Sequence, residues 1–232
     1  MKNMVTPTRK KFKMKLYLLK RLLLDLLYPN RCPFCNTIIP FDEYYCTECS
    51  DKLSLPPEHE IYPYIDCFAA ATSYDSVSIP LVGEMKRKGN GYALSAAAFC
   101  IFDKLASVEE MEKIDIITFV PMRKKDIYKR GYNQSYEMAK ELSGLAGAPC
   151  RTLLVKTKNT LEQKNLGEAD RRKNLNNAFK FRGRMDLKGK TILVVDDVCT
   201  TGSTLSEAAR TLKTAGADKI IAAVFAKTVK NT

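Results

Sequence analysis

Four aliphatic residues, Ile192 to Val195, run directly into two adjacent carboxylates, Asp196 and Asp197, and then into a glycine set among hydroxyls, Thr200-Thr201-Gly202-Ser203-Thr204. A short run rich in β-branched residues reads as a central strand of a parallel sheet. Burying an unpaired carboxylate pair is costly, so the pair belongs at the strand's carboxyl end, where open α/β sheets bind ligands. The glycine turn precedes a helical stretch and exposes backbone N–H groups and short hydroxyl donors, an arrangement that binds phosphate. Two carboxylates beside a phosphate cradle repel a second anion unless they face hydroxyls or a cation. A sugar phosphate meets both demands, with its phosphate on the loop and vicinal ribose hydroxyls or Mg²⁺ on the carboxylates. The competing reading is an ordinary strand–turn–helix capped by Thr and Ser.

The remainder of the body repeats the alternation. "IDCFAAATSYD" and "IDIITFVP" read as strands, and Pro121 stops the second. "IPLVGEMKRKGNG" and "YALSAAAFCIFDKLA" read as helices. "MRKKDIYKRGYNQSYEMAKELSGLAG" reads as a basic loop and a helix ending near Gly147. A short strand around Leu153–Lys156 and a long polar, basic loop follow, before the chain ends strand–loop–helix–strand. Alternating strands and helices from about residue 60 imply a largely parallel sheet with helices on both faces.

Four of the eight cysteines fall in "CPFCNTIIPFDEYYCTECS" as two CxxC pairs, Cys32/Cys35 and Cys46/Cys49. Two such knuckles direct four thiolates at one ion and suit tetrahedral Zn²⁺. A closed site of this kind is structural and folds a segment too short to have its own core. Two unrelated redox or packing pairs are the alternative. Cys67 and Cys100 lie in apolar stretches, Cys150 follows a Gly-Ala-Pro turn, and Cys199 has no histidine near it. His59, the only histidine, sits in the "SLPPEHE" linker, so a Ser-His-Asp triad is not expected.

The formal charge of +12 is unevenly spread. Lys and Arg less Asp and Glu give 9 − 1 = +8 for residues 1–31, 12 − 17 = −5 for 32–148, 12 − 4 = +8 for 149–190 and 5 − 4 = +1 for 191–232. Two basic blocks suit an anionic partner such as nucleic acid, a phosphate ligand or a membrane surface, or else a solvated surface. "MKLYLLKRLLLDLLY" (Met14–Tyr28) is interrupted by Lys15, Lys20, Arg21 and Asp25, too often for a membrane span. Leu16, Leu19, Leu23, Leu26 and Leu27 recur at helical spacing, as in an amphipathic helix docked on the body; its basic flank would also suit a membrane surface. The expected location is cytoplasmic, with peripheral contact at the inner face of the membrane as a further reading.

Four aliphatics, Asp-Asp, Val, one residue and Thr-Thr-Gly-Ser-Thr resemble the 5-phosphoribosyl-1-pyrophosphate (PRPP) motif of type I phosphoribosyltransferases. The resemblance implies that Asp196 and Asp197 hold the ribose hydroxyls and that Thr200, Thr201, Gly202, Ser203 and Thr204 clasp the 5′-phosphate. Together with the four-cysteine knuckle, "VP" followed by basic residues, "RGYNQ" and "RRKNLNNAF", the chain resembles the ComF family over nearly its whole length. That resemblance implies a leader and amphipathic helix over 1–29, a four-cysteine zinc module over 30–55 and a phosphoribosyltransferase-like domain over 61–232. It also implies a role in handling incoming single-stranded DNA during natural transformation, alongside a competence helicase or an inner-membrane DNA channel.

In type I enzymes a loop after the first core strand binds pyrophosphate; the matching place is Pro121-Met122-Arg123, with Lys124 and Lys125 adding charge. Arg130, Asn133 and Gln134 open the following helix and either touch pyrophosphate or Mg²⁺ or only cap and pack. The long loop around Gln163–Asn174 resembles a flap over the ligand. Its Arg171 and Arg172 would neutralise pyrophosphate, bind nucleic-acid phosphates or stand solvated. Purine-salvage members have an aspartate at the position of Thr200; threonine is closer to the orotate type, and no general base is visible in the loop. Two functions follow: a PRPP-binding component of DNA uptake with DNA on a basic surface, or an active enzyme transferring phosphoribose from PRPP·Mg²⁺ to an unidentified base or amine.

Overall fold

The computed structural model describes residues 22, 23, 27, 29–57, 61–87, 91–107, 114–157 and 178–229. The amphipathic helix expected over Met14–Tyr28, His59 and the loop carrying Arg171 and Arg172 lie wholly or mostly outside them.

Four parallel strands form the main sheet: β1 (Cys67–Ser73), β2 (Ile116–Phe119), β5 (Thr191–Cys199) and β6 (Lys219–Lys227), in the order β1-β6-β5-β2. Because side chains alternate along a strand, each strand feeds two cores. Leu193 and Val195 of β5, with Ile221, Ala223 and Phe225 of β6, enter one core. Ile192 and Val194, with Ile220, Ala222 and Val224, enter the other. Burial on both faces explains the unbroken aliphatic runs.

The first core is closed by helices α2 (Ser78–Met85), α3 (Gly91–Ser107) and α5 (Gln134–Ala146). In α3 the alanines Ala93, Ala97 and Ala98 are buried in this core, where small side chains let the helix approach the sheet and α5 closely. The opposite core is closed by α6 (Ser203–Thr214) and by two short strands, β3 (Leu154–Lys156) and β4 (Phe179–Phe181), which pair antiparallel as a separate sheet.

Two features depart from the sequence reading. The stretch expected as a basic loop contains a helix, α4 (Lys124–Arg130), capped by Gly131 at φ 91°. None of its residues is buried, so it has no apolar periodicity to announce it. Strand β4 is the other departure; at three residues it is too short to show alternation.

Candidate functional site: an acidic crevice and a four-thiol cluster

Strand β2 ends at Phe119, opposite Val195 in register, whereas β5 runs on to Cys199 paired with β6 on its other side. Past Phe119 the β2 chain leaves the sheet, so the β5 residues after Val195 lose their neighbour on that side and line a candidate crevice. On the β5 side stand Asp196 and Asp197, partly buried. Asp196 Oδ1 accepts the Ser135 hydroxyl at 2.7 Å and the Asp197 N–H at 3.0 Å, while Asp197 Oδ1 accepts the Val198 N–H at 2.8 Å. The pKa of the Asp196 carboxyl is pushed up to about 7, first by burial and then by the neighbouring Asp197 charge, against the pull of the Ser135 hydroxyl. Adding an anion would make this worse; hydroxyl donors or a hard cation would relieve it.

On the β2 side Asn133 caps α5. Its Oδ1 accepts from the Ser135 and Tyr136 N–H groups, and its Nδ2 donates to the Val120 carbonyl at 3.0 Å. The cap ties the helix start to the strand end and so aims Ser135 at Asp196. Gln134 is buried, and its Nε2 is the one buried side-chain polar atom among the described residues without a hydrogen-bond partner. An orphaned amide donor here is a group for which a ligand oxygen would be a partner.

Thr200 to Thr204 form the turn into α6. Gly202 sits at φ 72°, a left-handed conformation in which only glycine is unstrained. A Cβ at this position would lie 2.0 Å from the Tyr62 ring. Tyr62 belongs to the core beneath the turn, edge-on to Phe68 with centroids 4.8 Å apart, and Cys199 Sγ lies 3.6 Å from its hydroxyl. Thr201 and Ser203 hydroxyls are 2.9 Å apart. From β6, the buried Lys227 donates to the Thr200 carbonyl at 3.2 Å and the Thr228 carbonyl at 2.6 Å. The loop is thus held from below by a tyrosine and a lysine, neither of which the sequence singles out.

Arg123, expected at this site, precedes α4 and pairs through Nε with Asp126 at 2.6 Å. Arg130 stands exposed at the far end of the same helix. Lys156, at the end of β3, is a further residue that sequence reasoning does not find. The pKa of its ammonium is lowered first by burial and then by the Arg123 charge, and raised in part by Asp196 and Asp126, so these four groups share one electrostatic neighbourhood. No sequence signal separates Lys156 from other strand-end lysines; Ser135 could have been found as the residue following "RGYNQ".

The second site is the cysteine cluster. Cys32, Cys35, Cys46 and Cys49 bring their Sγ atoms within 4.8 Å of one another, with Cys35 and Cys46 at 3.6 Å. Zn–S bonds of about 2.3 Å in a tetrahedron require S···S edges of about 3.8 Å, so the donor set fits Zn²⁺. Backbone turns make the knuckles: Asn36 N–H bonds to the Cys32 carbonyl at 2.8 Å, and Cys46 precedes the one-turn helix α1 (Thr47–Ser50). Asn30 Nδ2 closes the base by donating to Pro40 and Glu43 carbonyls. The module docks on α3 by stacking Tyr44 on Phe99, centroids 4.2 Å apart.

Comparison with known proteins finds a domain match in each of the two regions. The model of the phosphoribosyl transferase domain matches residues 127–231 and that of the double zinc ribbon domain matches 23–61. Competence protein F of Haemophilus influenzae is 26% identical over 193 residues, covering 81% of this chain and 82% of its own length. The DNA utilization protein YhgH of Escherichia coli K12 is 27% identical over 199 residues, covering 80% and 85%. Among solved structures, a purine phosphoribosyltransferase from Pyrococcus horikoshii is 25% identical, covering 56% of this chain and 71% of its own, with a TM-score of 0.36. A four-thiol cluster ahead of a region that matches the phosphoribosyl transferase domain, with competence and DNA utilization relatives aligned over about four fifths of the chain, is consistent with the ComF-type resemblance.

Proposed function

We propose that the crevice binds PRPP with Mg²⁺ and that the chain serves the handling of single-stranded DNA in natural transformation. The observation that carries the first half is the Asp196–Asp197 pair at a parallel-strand terminus, steadied by Ser135 and followed by a glycine turn built for an anion. The 5′-phosphate sits on the N–H and hydroxyl groups of Thr200 to Thr204, including the first turn of α6. Asp196 and Asp197 take the ribose hydroxyls or Mg²⁺, and the cation would offset charge on the pyrophosphate. In this reading Gln134 Nε2 offers a donor, and Arg123 and Lys156 offer positive charge, to the pyrophosphate. The second half rests on the relatives, named for competence and DNA utilization, and on the excess of basic residues.

A second reading, catalysis of phosphoribosyl transfer to a base or amine, is favoured by the cations near the pair. Breaking the bond at C1′ sends negative charge onto the departing pyrophosphate, and positioned cations stabilise it without a nucleophile from the protein. The test is calorimetric titration of PRPP, with and without Mg²⁺, into zinc-loaded wild type and Asp196→Asn/Asp197→Asn. Magnesium-dependent binding that the variant loses supports the pocket. A folded wild type that takes up no PRPP overturns it. Steady pyrophosphate release with some base would favour the enzyme over the binding component.

A further inference from the structure

Summed over residues 32–148 the chain is acidic by five charges, yet its fold concentrates cations at one place within that stretch. Helix α4 exposes Lys124, Lys125, Lys129 and Arg130, while its single acid, Asp126, is engaged by Arg123. In their midst Tyr128 is 94% exposed, against 53% for Tyr64, 39% for Tyr92 and 37% for Tyr136. Lys124 and Lys125 lie one turn from Tyr128 and share its face. The helix is not a loose appendage. The Gly131 cap ends it, and the Tyr132 hydroxyl then donates to the Met85 and Arg87 carbonyls, fixing the helix end on the body.

A ring left wholly in water contributes nothing to folding, and a solvated basic face has no need of it. Cations alone would serve any polyanion, including duplex DNA or an anionic membrane. An aromatic face standing among them is of use where bases are unstacked and accessible, as in a single strand. We propose that helix α4 is a single-stranded nucleic-acid contact, with Tyr128 as the platform on which a base stacks and Lys124, Lys125, Lys129 and Arg130 on the flanking phosphates. The surface adjoins the crevice through Arg123. This inference rests on the DNA-handling half of the proposed function but not on PRPP binding.

Fluorescence anisotropy of a labelled oligothymidylate on the full zinc-loaded chain, over a series of salt concentrations, tests it. Tyr128→Ala should weaken binding about tenfold at every salt concentration, leaving the salt slope unchanged, and Tyr128→Phe should restore it because the stacking face is kept. Lys124→Gln/Lys125→Gln should flatten the slope of log affinity against log salt by about 1.4, near 0.7 for each phosphate that is no longer neutralised. PRPP titration of Tyr128→Ala should match wild type. If Tyr128→Ala binds the oligonucleotide as tightly as wild type, helix α4 is not where the strand lies and the inference is overturned, while the DNA-handling reading stands on another face. If wild type binds no oligonucleotide even at low salt, that reading falls and this inference with it. If Tyr128→Ala weakens binding to a duplex as much as to the single strand, stacking is not its role and the inference is overturned.

Discussion

The four-thiol module and the acidic crevice both crowd groups that would repel one another if ionised, but they are held in opposite ways. The module has almost no core of its own: Cys32, Ile39 and Cys49 are its buried apolar cluster, and two of those three are metal ligands. Its geometry depends on the ion. The crevice stands on two large cores that meet through the sheet, so its carboxylates are held whether or not anything binds. One site takes its shape from an ion; the other keeps its shape without one, with Asp196 and Asp197 crowded together.

The largest effect should come from removing the metal. Chelation, or Cys32→Ser/Cys49→Ser, should expose residues 30–57 to protease and remove the Tyr44–Phe99 stacking, a loss on the order of 10 kcal/mol of binding energy coupled to folding of the module. The body should keep its own cooperative unfolding transition. Loss of that transition on chelation would show that the two regions are not held differently.

Next comes Gly202→Ala. A non-glycine residue at φ 72° costs about 1–2 kcal/mol, and the new Cβ must displace the Tyr62 ring, so a total of about 2–4 kcal/mol is expected by chemical denaturation. PRPP affinity should fall with it.

Asp196→Asn should do the reverse for stability. The folded chain keeps the Asp196 proton to about pH 7, whereas an ordinary aspartate loses it near 3.8. Between those values the folded state binds more protons than the unfolded one, so stability falls as pH rises through that window. The substitution should therefore stabilise the ligand-free chain by about 1–3 kcal/mol above pH 7 and remove that part of the pH dependence, while PRPP affinity drops. A destabilised variant would mean that the carboxylate is already compensated. Ser135→Ala should have the smallest effect, about 1 kcal/mol, and should move the Asp196 titration further upward.

The two regions also differ in how far the sequence discloses them. The cysteine spacing places all four ligands because metal geometry is local to each knuckle. The strand Thr191–Cys199 and its loop are equally legible, since aliphatics, acids and a glycine follow one another without a break. The partners of that motif are not. Ser135 reaches Asp196 across 61 residues, Tyr62 reaches Cys199 across 137, and Lys227 holds Thr200 from a strand whose pattern is simply apolar. Contacts formed by strand order leave no periodic trace. Helix α4 is hidden for another reason: it buries nothing, so only its charge can be read, and it reads as a loop.

The decisive measurement is a crystal structure of the zinc-loaded chain with PRPP and Mg²⁺. The 5′-phosphate is expected on the N–H groups of Thr200 to Thr204 and the ribose hydroxyls or Mg²⁺ on Asp196 and Asp197. PRPP bound elsewhere, or an empty crevice at saturating PRPP and Mg²⁺, would contradict this placement.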